Sequence, residues 1–304
     1  MTPLLSVGIP AYERPGELER AARSALAQDL GDIEVVVSDD ASPDLEVARV
    51  GERLAREDPR LRFARQPRNL GHAANYRWVL EHARGEYFMW LSDDDWLDRA
   101  YARRCLEALR AGSGGVLVAG LARYHREGEH VVDERPTDLT STRPAARVAR
   151  YFWRVNMNGS LFGVARREDL VATPFREVVG GDWLLVAALA ARGTVRTLPD
   201  VHVHRSLAGL GGDPERLARS FGMRGLLARQ HHLWVAGNVL REVGWRDPAY
   251  AHLPRRARLA AGTLSAVAVV LRFPGLALLR AAGLGGLEQR AIGWVRERDR
   301  VAAR

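Results

Sequence analysis

The chain has 304 residues, 47% of them hydrophobic and 27% charged, enough for one large domain or a domain with an appendage and too apolar for a disordered polymer. All 45 basic residues are arginines, and the net charge of +8 is unevenly placed: from Pro214 onward 16 arginines face 6 acids, whereas before it 29 face 31. A single cysteine, Cys105, excludes an internal disulfide.

Residues 4–9 form a short uncharged run that reads as a buried strand, followed by a helical pattern through Leu18, Ala21, Ala22, Ala25 and Leu26, with Pro15 near its start where proline is tolerated. A second strand at 33–38 leads into Asp39-Asp40-Ala41-Ser42-Pro43-Asp44 and a helix presenting Val47, Val50 and Leu54 on one face. A weak strand at 61–64, a helix ending near His82 and a further apolar run at 87–91 complete this part. Strands alternating with helices predict a mostly parallel α/β sheet with flanking helices. In such sheets ligands lie outside the carboxyl ends of the strands. Tyr12, the Asp39 and Asp40 pair, and Asp93 to Asp95 all fall at such ends, which predicts that they converge on one crevice.

The run Tyr87-Phe88-Met89-Trp90-Leu91-Ser92-Asp93-Asp94-Asp95 carries the strongest chemical signal. Two unit charges about 4 Å apart repel by roughly 4 kcal/mol at an effective dielectric near 20. A hard divalent cation, which takes carboxylate, water and phosphate oxygens, relieves that repulsion. The plainer alternative is a solvated acidic turn capping a helix at 99–111.

The sequence resembles the family 2 inverting glycosyltransferases with the GT-A nucleotide-sugar fold. The resemblance rests on Ser6-Val7-Gly8-Ile9-Pro10-Ala11-Tyr12-Glu13-Arg14-Pro15, on Val36 to Asp44, on Asn69-Leu70-Gly71-His72-Ala73-Ala74-Asn75, and on Trp90 to Asp95, which looks like a DXD-type metal motif. It covers about the first 110 residues. In two places the sequence departs from the family: Glu13 stands where asparagine is common, and Ser92 where many members have the first aspartate. The resemblance implies nucleotide contacts at Pro10, Ala11, Tyr12, Glu13, Asp39, Asp40 and Asp93, with Tyr12 stacking on the base and Asp40 accepting its N–H. It implies a Mn²⁺ or Mg²⁺ ion on Asp94, with support from Asp95.

Beyond a helix at 99–111 and a strand near 116–122, residues 123–144 read as a polar, irregular loop. Residues 156–164 resemble the family's strand over the donor sugar, and Gly180-Gly181-Asp182-Trp183 its motif before a helix, which makes Asp182 the expected catalytic base and Trp183 a core or sugar-stacking residue. Inverting transfer needs one base to accept the acceptor hydroxyl proton. In the stretch 199–206, His202 and His204 alternate onto one face of a strand. By resemblance His204 is expected at the metal and Arg205 at the diphosphate. Two histidines alone do not complete a tetrahedral zinc set.

These readings divide the chain into a catalytic domain at 1–213, with a nucleotide half at 1–110 and an acceptor half at 111–213, and a helical extension at 214–304. Helical spacing at 217–240 and an apolar run at 259–271, preceded by Arg255, Arg256 and Arg258, suit either peripheral membrane contact through 254–285 or packing and homodimer formation. The longest uncharged run is too short to span a bilayer, and residues 4–9 do not make a signal peptide, so the expected location is cytoplasmic or peripheral on the inner membrane face. No nucleic-acid module accompanies the arginines. The expected partners are a UDP, dTDP or GDP sugar and a sugar, lipid-linked or small-molecule acceptor. The alternatives are a nucleotidyltransferase, which would want a glycine-rich basic loop after the first strand, and a non-catalytic sugar-nucleotide scaffold.

Overall fold

Continuous apolar runs form the centre of the molecule: β1 (Leu5–Ala11), β2 (Ile33–Asp39) and β4 (Tyr87–Trp90) are buried at every residue. The computed structural model describes residues 2–272 except 113, 156, 208–220, 223 and 225–229. With β3 (Leu61–Arg65) at one edge, these strands make a parallel sheet in the order β3-β2-β1-β4, extended by the short antiparallel β8 (Ala165–Arg166). The helices α1 (Pro15–Leu26), α2 (Leu45–Glu57) and α3 (His72–Glu81) connect the strands. The buried face of α1 consists of Leu18, Ala21, Ala22 and Ala25, as the helical spacing requires. Asp44 caps α2 by accepting the Glu46 N–H at 2.8 Å.

The register fixes where the site lies. Ala11 stands opposite Asp39, Gly8 stands opposite Trp90, and the Leu91 N–H donates to the Gly8 carbonyl at 3.0 Å. The chain therefore leaves β1, β2 and β4 along one edge of the sheet, at Tyr12, Asp40 and Ser92.

A second sheet has the order β5-β9-β6-β7, formed by β5 (Trp96–Leu97), β6 (Gly115–Arg126), β7 (Glu129–Asp133) and β9 (Thr194–Ser206). The remaining helices of this half are α4 (Tyr101–Ala111), α5 (Pro144–Arg154), α6 (Arg167–Val171) and α7 (Gly181–Arg192). Every residue of α7 from Leu184 to Ala191 is buried, so its first turn is held rigidly. Beyond it, α8 (His231–Arg241) runs into a π-helical turn (Glu242–Arg246), and α9 (Arg255–Arg272) packs on α5 and α8. The buried residues of α9 are Ala261, Gly262, Ser265, Ala268 and Val269, and Arg272 donates to the Phe152 and Val155 carbonyls at the end of α5. Among the described residues no helix is long and apolar enough to cross a membrane.

Three expectations change. Residues 123–144 are not a loop throughout: β6 continues to Arg126 and turns into β7 through Glu127 and Gly128, both at positive φ, a pair suited to a tight hairpin. Charges on an exposed edge hid this strand pair. The described residues at 157–164 are not a strand; Gly159–Phe162 forms a 3₁₀ turn after Asn158, which is left-handed at φ 57°. The strand expected at 199–206 starts earlier and is 13 residues long. Much of the helical reading at 217–240 and of the 254–285 segment beyond 272 lies outside the described residues.

Candidate active site

The ends of β1 and β4, the 69–71 loop, the start of α3, residues 157–162, the start of α7 and the end of β9 line a crevice of about 450 Å³, a size suited to a small-molecule ligand. Of the residues expected in the site, Pro10, Ala11, Tyr12, Asp40, Asp93, Asp94, Asp182 and Arg205 line it. Glu13, Asp39, Asp95, Trp183 and His204 are not among its wall residues.

The nucleotide-side residues divide by what holds them. Tyr12 is 38% exposed, and its backbone N–H donates to Asp93 Oδ2 at 2.8 Å. Asp40 accepts the Leu70 and Gly71 N–H groups at 2.6 and 3.0 Å, one on each oxygen, and so ties the 69–71 loop to the end of β2. Burial raises its carboxyl above the ordinary range, while the two N–H groups pull it back. Asp39 is fully buried and accepts the Ser42 N–H and hydroxyl. Through Oδ1 it braces the turn, while Oδ2 makes no hydrogen bond among the described residues and lies 3.5 Å from Arg65 Nη1, and the residue is not on the crevice wall. Glu13 also stands off the wall: at φ 62° its backbone N–H donates to Ser42 Oγ at 2.9 Å, and it is not among the residues lining the crevice.

The three consecutive aspartates take three different positions. Asp93 and Asp94 share one guanidinium: Arg14 Nη1 lies 2.9 Å from Asp93 Oδ1 and 2.8 Å from Asp94 Oδ2. Burial pushes the Asp93 carboxyl up to about 7, against the opposing pull of Arg14. Asp95 is 1% exposed and fully engaged, with Oδ2 accepting from Arg205 Nε at 3.0 Å and Oδ1 from the Ser206 N–H at 3.0 Å. It is therefore a brace for the end of β9. Each oxygen accepts one hydrogen bond there, so the contact of Asp95 with the site runs through Arg205 and Ser206. Arg205 also donates to the Met157 carbonyl at 3.1 Å and lies over the Phe162 ring at 4.3 Å. Held on all these sides, it presents a fixed positive charge to the crevice.

Asp182 lies in the first turn of α7, where the helix N-terminus favours a carboxylate. The cap position belongs to Gly180, at φ 80°. Burial raises the Asp182 carboxyl, and a hydrogen bond from Asn158 Nδ2 to Oδ2 at 2.9 Å acts in the lowering direction. Asn158 is itself fixed, because its Oδ1 accepts from Tyr151 Oη at 2.7 Å. Glu134 accepts the Gly159 N–H at 2.6 Å and the Met157 N–H at 3.2 Å, holding the segment that carries Asn158. Trp183 is half-buried against the core.

His204 is displaced from its expected place. Its Nδ1 lies 2.9 Å from His125 Nε2, its Nε2 lies 2.9 Å from Asp98 Oδ1, and its ring stacks on Trp96 at 5.0 Å. Both ring nitrogens are engaged away from the crevice, which corrects its assignment as a metal ligand. His202 does share its face, with Nδ1 2.8 Å from Asp98 Oδ2. The contacts of Arg14, Asn158, Glu134 and His125 are not signalled in the sequence. Their partners lie 79, 24, 25 and 79 residues away in the chain, respectively, and no local pattern announces such pairs.

The donor set fits a hard divalent cation. Asp94 lines the crevice, and its Oδ1 has no partner among the described residues. The guanidinium already seated on Asp93 and Asp94 marks a point where positive charge is stabilised. Among the described residues no group of three or more His, Cys, Asp or Glu side chains is placed to hold a metal alone.

With this geometry in place, comparisons with known proteins locate the chain. It is 29% identical over 181 residues to a Campylobacter jejuni GalNAc(5)-diNAcBac-PP-undecaprenol beta-1,3-glucosyltransferase, over 59% of this chain and 57% of that protein. It is 35% identical over 109 residues to an Escherichia coli chondroitin synthase, over 36% of this chain and 16% of that one. The chain thus spans little more than half of one curated relative and a sixth of the other. Among solved structures, S. aureus TarS 1-349 superposes with a TM-score of 0.57 at 18% identity, over 90% of this chain and 74% of that one. The mannosyltransferase PcManGT of Pyrobaculum calidifontis, in complex with GDP-Man and Mn²⁺, superposes with a TM-score of 0.57 at 20% identity, over 97% and 83%. These likenesses carry the GT-A fold. The model of glycosyl transferase family 2 matches residues 6–170, and the chain belongs to that family.

Proposed function

We propose that the protein transfers a sugar from a nucleotide-diphosphate sugar to an acceptor hydroxyl with inversion, aided by Mn²⁺ or Mg²⁺. The observation that carries this reading is that Tyr12, Asp40, Asp93, Asp94 and Asp182, drawn from four separate segments, line one crevice. Tyr12 offers a ring face to the base, and Asp40 keeps acceptor lone pairs for its N–H. Asp93, tied to the Tyr12 backbone, would hold the ribose hydroxyls. Asp94 would hold the cation, which when bound supplies electrostatic stabilisation of the leaving diphosphate, and Arg205 adds fixed positive charge. Asp182 accepts the acceptor hydroxyl proton as the new oxygen–C1 bond forms. The old C1–oxygen bond breaks, and its electron pair leaves on the diphosphate.

The undecaprenol-linked substrate named for the Campylobacter relative and the basic C-terminal helices support a lipid-linked acceptor and peripheral membrane contact for this chain. A nucleotidyltransferase reading has less support, because Pro10-Ala11-Tyr12-Glu13 after β1 is not a phosphate-binding loop.

The test is calorimetric titration of UDP, dTDP, GDP and CDP, with Mn²⁺ and with chelator, into the wild type and Asp94→Ala. One nucleotide should bind in a manner that requires both the metal and Asp94. If none binds under any condition, the crevice is not a nucleotide site.

A further inference from the structure

The most telling unassigned feature of the crevice is the Arg14 side chain. A single nitrogen, Nη1, sits within 2.9 Å of Asp93 and 2.8 Å of Asp94. The guanidinium thus stands where a divalent cation on Asp94 would act. Arg14 is anchored just ahead of α1 by its backbone position before Pro15, but its side chain is a third exposed and lines the crevice. Apart from the two carboxylates, no hydrogen bond or ion pair is found for its guanidinium among the described residues. Its departure breaks that bridge and no other hydrogen bond or ion pair among the described residues.

Charge balance decides what can displace it. Two carboxyl groups, Asp93 and Asp94, share the single positive charge of Arg14. A bare divalent cation entering this site would meet a guanidinium already in contact with its ligand and would have to expel it without offering it a new partner. A cation arriving with a diphosphate brings that partner, since arginine pairs with phosphate oxygens in a planar, bidentate fashion. We propose that Arg14 is the resident cation of the Asp93 and Asp94 pair: it competes with free divalent metal for Asp94, and the nucleoside diphosphate displaces it by taking over its charge. Arg14 is then a positioning residue that couples metal binding to donor binding. This inference rests on the nucleotide-sugar reading for its second half, but its first half concerns metal and protein alone.

The experiment measures free Mn²⁺ by its electron paramagnetic resonance signal during titration of the full chain, with no nucleotide present, for the wild type, Arg14→Gln and Arg14→Lys. Arg65→Gln serves as a control, removing a charge beside Asp39 that is not on the crevice wall. Arg14→Gln should bind Mn²⁺ about tenfold more tightly than the wild type, Arg14→Lys should fall between them, and Arg65→Gln should match the wild type. Nucleoside diphosphate binding at saturating Mn²⁺, measured by calorimetry, should weaken about fivefold or more in Arg14→Gln. A merely structural brace would not tighten metal binding when removed. Unchanged or weaker Mn²⁺ binding by both Arg14 variants overturns the proposal, and if Arg14→Gln does not fold, the Arg14→Lys titration alone decides between the two outcomes. Tighter Mn²⁺ binding together with no nucleotide binding by the wild type supports the resident-cation role and overturns the nucleotide reading.

Discussion

Asp182 can serve as a base only when ionised, and two neighbours pull its carboxyl in opposite directions. Burial raises it, whereas the Asn158 amide, donating at 2.9 Å, lowers it. Turnover should therefore rise with pH through a limb lying above the ordinary carboxylate range, because the proton must leave Asp182 before it can accept another. Asn158→Gly, chosen because glycine tolerates the φ of 57°, removes the lowering contact and should move that limb to higher pH in a pH profile of kcat/KM. Asp182→Asn should lower kcat by about 10²–10⁴-fold at every pH. A limb unmoved in Asn158→Gly would show that another group controls it. At the other end of the crevice, Glu13 sits at φ 62°, a left-handed conformation that disfavours an ordinary side chain and suits asparagine. Glu13→Asn should stabilise the protein by roughly 1 kcal/mol in urea denaturation, leaving nucleotide affinity within about twofold because the side chain does not line the crevice.

At the scale of elements, the sequence reveals those parts whose periodicity is set by burial. Buried runs marked β1, β2 and β4 to within two residues, and the 3.6-residue spacing of Leu18, Ala21, Ala22 and Ala25 marked α1. The strand ends brought Tyr12, Asp40, Asp93 and Asp94 to one crevice, whereas Asp39 and Asp95, predicted by the same reasoning, lie off its wall. What stayed hidden depends on long-range pairing: the arginine seated on Asp93 and Asp94, the Tyr151-Asn158-Asp182 chain, and the use of both His204 nitrogens by Asp98 and His125. The glycines before Asp182 show the same division. Gly180 needs its positive φ, and a Cβ on Gly181 would stand 2.0 Å from the Arg176 carbonyl oxygen. Backbone cannot yield as a flexible side chain can, so Gly181→Ala should cost roughly 1–3 kcal/mol and should lower kcat by shifting the turn that carries Asp182. Gly237, exposed in α8 with nothing within 4 Å of its added Cβ, provides the contrast. Gly237→Ala should stabilise by roughly 0.8–1 kcal/mol with kcat unchanged.

For the whole molecule, the charge asymmetry and the packing of α9 bear on the same question. One face of α9 packs on α5 and α8, so packing, one of the two uses expected from the sequence, occupies that face. The other face carries Leu264, Val267 and Leu271, 59%, 46% and 63% exposed, at the three- and four-residue spacing of a single stripe, with exposed Arg255 and Arg256 at its N-terminal end. Three large apolar side chains in line on an exposed face, flanked by cations, suit an interface between water and acidic lipid. The full chain should therefore co-sediment with vesicles of phosphatidylglycerol and phosphatidylcholine at low salt, and less so at high salt as the arginine contribution is screened. It should bind vesicles of phosphatidylcholine alone more weakly. Replacing Leu264, Val267 and Leu271 together with serine should release it from both while leaving nucleotide binding intact, because none of the three lines the crevice. If the wild type ignores vesicles and instead forms a dimer that the triple variant loses in sedimentation velocity, the stripe joins two copies of the chain. An acceptor carried on a lipid would then have to reach Asp182 without help from this surface.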